Sequence, residues 1–182
     1  MAGAVEASFP RKIIYQSRVP SRVAFFVWTA ALGKILTIDQ HRQHIVVLDW
    51  CCLCKGYGES VDHLLLHFPI AHEMWSMLFG LFRISWVMPR SVLGLLDCWQ
   101  GNFGRHLNIG IWRAVPHCLM WCLWWERNGR SFEDCERTIV ELKLLCFRTL
   151  LDWVSVRGLS FLCVFTSAFG ILLLASLICL YS

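Results

Sequence analysis

The chain has 182 residues, 57% of them hydrophobic and 16% charged, with ten cysteines and a formal net charge of +4. That length holds one ordinary domain with a real core, which excludes a miniature fold kept together by metal or disulfides alone. The mild basicity favours anionic partners, nucleic acid or phospholipid headgroups, without choosing between them.

Met1 to Pro10 lacks the charged start and apolar run of a signal peptide, so free thiols in a reducing compartment are expected. Cys98, Cys118, Cys122, Cys135 and Cys146 sit inside hydrophobic patterns and are expected as small buried apolar residues.

In chain order, Phe9 to Tyr15 is short and basic and reads as extended or irregular. Ser21 is the expected N-cap of a buried helix over Val23 to Leu36. A polar connector, Ile38 to His44, leads to a β-prone run, Ile45 to Leu48. Pro69 suits the start of a helix to Phe82, with Met74, Met77, Leu78 and Leu81 at helical spacing. Pro89-Arg90-Ser91 opens a short helix through Leu96, and Gln100 to Gly104 reads as a loop. The tryptophan-rich stretch Ile109 to Glu126 is a helix stopped by Asn128-Gly129. Ser131-x-x-Asp134 then caps a final helix whose stripe is Ile139, Leu142, Leu145, Thr149 and Trp153. The body is expected to be mainly α, a small helical domain around a Cys/His turn, ending in a C-terminal hydrophobic helix.

That last helix is residues 159–182, where 18 of 24 residues are hydrophobic and none is charged. As a helix it would be about 36 Å long against a hydrocarbon core of about 30 Å, so it is expected to span a membrane. Arg157 ahead of it places the N-terminal body on the cytosolic side, the alternative location being nucleus or cytoplasm.

The chemistry concentrates in Cys51-Cys52-Leu53-Cys54, followed by Glu59-Ser60, Asp62-His63 and His67-Phe68-Pro69. Cys51 and Cys54 form a Cys-x2-Cys turn that aims two thiolates at one tetrahedral ion; His63 and His67 follow at metal-ligand spacing. Four residues apart on an α-helix, the two imidazoles share a face, whereas position 68 points about 140° away from His63. The predicted ligands are therefore Cys51, Cys54, His63 and His67, and the predicted cofactor is zinc. No Gly-rich phosphate loop, Gly-x-Ser-x-Gly elbow or His-Glu-x-x-His is present, so neither catalysis nor a small-molecule substrate is expected. Cys118 or Cys122 beside His117 does not make a nucleophile and base, because adjacent and fifth positions on a helix diverge.

Val19-Pro-Ser-Arg-Val-Ala-Phe-Phe-Val-Trp28, Ile35-Leu-Thr37, Cys51-x2-Cys54, Glu59-Ser60, His63-Leu-Leu65 and Trp75 together resemble the reverse-transcriptase zinc-binding domain of plant LINE-type retrotransposons. The resemblance covers residues 9–157 and implies zinc binding with RNA or DNA association. In that family the fourth ligand is a cysteine five residues after the histidine, where this chain has Phe68, which leaves either a degenerate three-ligand site or one in which His67 fills the gap. The implied organisation is a lead-in over 1–20, a zinc-binding-like domain over 21–85, a helical flank over 86–157 and the apolar segment 159–182. Arg11, Lys12, Arg18 and Arg22 are the residues expected to meet phosphates, with Tyr15, Phe25 and Phe26 expected in the core. The alternative reading is a tail-anchored adaptor with a metal-free, degenerate knuckle.

Overall fold

The computed structural model describes residues 9–17, 19–35, 37, 51, 53–56, 58–82, 84–102 and 109–155. Among these residues every regular element is helical. They are α1 (Arg11–Gln16), α2 (Ser21–Ala31), a π-helical turn (His63–His67), α3 (Pro69–Leu81), α4 (Val92–Asn102), α5 (Ile109–Phe132) and α6 (Ile139–Ser155). The connector, the β-prone run and the apolar segment 159–182 lie outside the described residues. No helix among the described residues is long and apolar enough to cross a membrane.

Several local expectations are corrected. The basic lead-in is helical because Ile13 and Ile14 bury themselves as its anchor. Ser21 lies inside α2, which begins after Pro20 and presents Val23, Phe26, Val27 and Ala30 as one buried face. Gly33, at φ +65°, ends α2 five residues before Ile38, and the Lys34 N–H closes back on the Thr29 carbonyl at 2.8 Å. Gln100 to Asn102 continues α4, whose first turn is capped from afar: the Val92 N–H donates to Asp62 Oδ1 at 2.8 Å.

α5 runs past Asn128-Gly129 to Phe132, and the chain turns at Asp134, φ +51°. Gly129 is spent on close approach instead of termination, since a Cβ there would stand 3.4 Å from the Cys135 carbonyl. The cap of α6 is Thr138 with Glu141: the hydroxyl accepts the Glu141 N–H at 3.3 Å while the carboxylate accepts the Thr138 N–H at 2.7 Å. Leu142, Cys146 and Leu150 form its most buried line, one step round from the expected stripe.

α5 is the hub. It packs against α6 on one side and against α2, the π turn and α3 on others, while α1 and α2 close over α4. The buried residues form one cluster from Ile13 to Leu150. Two helical carbonyls lack a backbone donor, and a tryptophan answers each. Pro116 leaves the Trp112 carbonyl without its helical donor, and the Trp99 indole N–H donates to it at 3.1 Å. The Leu65 carbonyl, left open where the π turn ends at the extended Phe68, accepts the Trp75 indole N–H at 2.9 Å.

His117, fully buried on α5, ties that helix to the lead-in: Nδ1 donates to the Arg113 carbonyl at 3.1 Å and Nε2 lies 3.1 Å from Ser17 Oγ. Burial pushes its pKa down to about 4. The unfolded chain takes up this proton near pH 6.5, the folded chain only near 4, so the contribution is whole above pH 6.5 and is lost as pH falls toward 4. Urea unfolding of parent and His117→Gln at pH 7 and pH 4.5 is expected to show the parent losing about 2–3 kcal/mol more than the variant. Equal losses would show that His117 does not set this acid sensitivity.

Candidate metal centre

The Cys-x2-Cys turn is closed by two backbone hydrogen bonds, Lys55 N–H to the Cys51 carbonyl and Cys51 N–H to the Gly56 carbonyl, both 2.8 Å. Lys55 adopts φ +55°, which swings the chain back under the thiols. Gly56 is needed there because a Cβ would stand 3.3 Å from Cys54 Sγ. Cys54 Sγ lies 3.3 Å from His63 Nε2. The donor atoms of Cys51, Cys54 and His63 all fall within 4.8 Å of one another.

These separations suit zinc, which holds sulfur and nitrogen ligands at about 2.0–2.3 Å and therefore about 3.5–4 Å apart. Burial pushes the Cys51 thiol up to about 12. Burial and the neighbouring His67 lower His63, which keeps its ring neutral and its lone pair free for a metal. Metal uptake must expel the Cys51 proton, so affinity rises with pH.

His67 is not in this group. It is exposed, and its Nε2 donates to the Arg90 carbonyl at 3.1 Å. The cause is the winding of the chain: residues 63 to 67 form a π turn in which the Phe68 N–H reaches the His63 carbonyl at 2.9 Å. A five-residue step therefore stacks position 68 over His63, the alignment an α-helix would deny it. Phe68 is 1% exposed, with its ring centroid 6.4 Å from that of His63.

The remaining sequence anchors hold the centre in place. Ser60 Oγ accepts the His63 N–H at 3.1 Å, and Trp75 secures the π turn through Leu65. Glu59 is buried and takes two hydrogen bonds from Arg127 of α5, at 2.9 and 3.1 Å. Arg130, one turn further, reaches the Leu53 carbonyl of the knuckle at 3.4 Å and pairs with Glu126 at 2.7 Å. Sequence reasoning missed Arg127 and the reach of Arg130 because Glu59 and Leu53 lie far along the chain, and it passed over the pair of Glu126 with Arg130, four residues apart on one helix. Their one signal was charge inside an otherwise apolar helix.

Residues 2–75 match the family described as zinc-binding in reverse transcriptase. A protein of Arabidopsis thaliana that bears a ribonuclease H name is 27% identical over 122 residues, 66% of this chain and 20% of that protein. The chain thus spans about a fifth of the length of the curated relative it matches. No solved structure matches. Cys51, Cys54 and His63, which converge in space, all lie within the matched residues 2–75, and the two likenesses together fit a retrotransposon-derived zinc-binding domain.

Proposed function

We propose that this protein is a non-catalytic zinc-binding module that associates with single-stranded nucleic acid. The observation that carries the reading is the convergence of Cys51, Cys54 and His63 on one point. Zinc held there would clamp the knuckle turn to the π turn and so fix the surface formed by the lead-in. On α1 and the α2 packed against it Arg11, Lys12 and Arg22 are exposed, as are Tyr15 and Phe25 at 67% and 64%. Of the three aromatics expected in the core, only Phe26 is buried. Cations for phosphates beside uncovered rings for bases are the two components of sequence-tolerant single-strand binding.

One set of preparations tests both parts. The full chain is expected to retain close to one zinc after dialysis, His67→Ala to retain it as well, and His63→Ala to lose it. The zinc-loaded chain should bind labelled single-stranded RNA with an affinity that falls as salt rises, and Tyr15→Ser/Phe25→Ser should weaken that binding about tenfold. A zinc-free parent removes the metal reading. RNA binding indifferent to both rings and salt removes the nucleic-acid reading.

A further inference from the structure

Cys98 is exposed and Cys135 half-exposed, against the expectation of burial, but Cys118, Cys122 and Cys146 are buried and lie together. Cys118 and Cys122 stand four residues apart on one face of α5, and Cys146 meets them from α6. Cys118 Sγ lies 4.0 Å from Cys146 Sγ, and all three sulfurs are within 4.8 Å of one another. The surrounding wall is apolar, with Leu119, Leu142 and Leu150 buried beside them. Thr149 and Arg137 face Cys122 and supply a hydroxyl donor and positive charge.

We propose that Cys118, Cys122 and Cys146 form a second metal site, all sulfur and three-coordinate, for the soft cation Cu(I). A metal about 2.3 Å from three sulfurs in a plane holds them about 4 Å apart, close to the spacing the helices already impose. No histidine or carboxylate joins the group among the described residues, so the donor set is soft throughout. Thiolates of this kind select Cu(I), and a three-donor set satisfies it where zinc would call for a fourth ligand. Binding would release thiol protons to solvent and leave the copper oxidation state unchanged. The three cysteines are closed off from solvent between the two packed helices, so the cation would load as α5 and α6 pack and leave only when they part.

The test uses the full chain, reduced and refolded without oxygen in the presence of Cu(I), then challenged with a Cu(I) chelator. The Cys51→Ser/Cys54→Ser variant, which lacks the knuckle thiols, is expected to keep one chelator-resistant Cu(I) per chain with the luminescence of a water-shielded copper thiolate. Cys146→Val, which fills similar space, should lower that emission at least tenfold while helical content by circular dichroism holds. X-ray absorption of copper in the knuckle variant should show about three sulfur neighbours and no nitrogen, a measurement that survives even if Cys146→Val fails to fold. Copper lost with the knuckle thiols, copper stripped at once by the chelator, or a mixed nitrogen and sulfur shell would each overturn the assignment.

Discussion

Phe68→Cys is expected to bind zinc about a hundredfold more tightly than the parent chain while its metal-free form unfolds more easily. The first half follows from the π turn, which stacks position 68 over His63 and aims a fourth donor at the group that Cys51 and Cys54 complete. A structural zinc site contributes about 10–16 kcal/mol through four ligands, so restoring one should supply roughly 3 kcal/mol. The second half follows from burial. Phe68 is 1% exposed, and exchanging its ring for a thiol opens a cavity that costs about 2–4 kcal/mol. Competition titration against a zinc chelator and thermal unfolding with and without metal measure both terms. An affinity equal to the parent's would show that position 68 does not face the ion.

Glu59→Leu is the most destabilising single change expected. Its carboxylate is fully buried against Arg127, whose side chain is itself 6% exposed. Removing the acid leaves a guanidinium in the core beside Asn128 Oδ1, 3.2 Å from Arg127 Nη1, and the faces of Trp124 and Phe132, 5.3 and 5.7 Å from the guanidinium carbon, none of which carries a negative charge. Breaking one side of such a pair costs about 3–5 kcal/mol, which lowers the melting temperature of a chain this size by about 10 °C or more. The double change Glu59→Leu/Arg127→Met should recover most of that loss, because no charge is then stranded. A single-variant cost below about 1 kcal/mol would mean that water reaches Arg127. The loop that carries Glu59 runs directly from the knuckle to the π turn, so zinc affinity should fall with stability in the single variant and return in the double.

Where local chemistry decides a feature, the sequence was a good guide. Pro69 at the first turn of α3 and the Met74 and Leu78 spacing are found as expected, and the donor atoms of Cys51, Cys54 and His63 lie close together. Where two distant segments decide it, the sequence was silent. Nothing near residue 63 announces a π turn, because what stabilises it is the indole of Trp75 donating to the open Leu65 carbonyl ten residues back. An α-helical assumption there brought His67 in and put position 68 out. The lead-in looked irregular because its two isoleucines find their burial only beneath α2 and α4. The cap of α6 was legible in principle: Thr138-x-x-Glu141 obeys the capping pattern better than Ser131-x-x-Asp134, since the third position wants the longer carboxylate. Asn128-Gly129 misled because a glycine serves close packing as readily as it ends a helix.

Trp75 and Trp99 each present one hydrogen to a carbonyl that has no backbone donor, the first at the end of the π turn and the second opposite Pro116. Phenylalanine in either place would keep most of the ring stacking and still strand a buried oxygen. Ring volume alone therefore does not decide which aromatic these two positions tolerate. Pro116 and the Trp99 indole are coupled through the carbonyl they share, and mutational drift that removes the nitrogen first must pass through a less stable chain before the imino acid can be replaced.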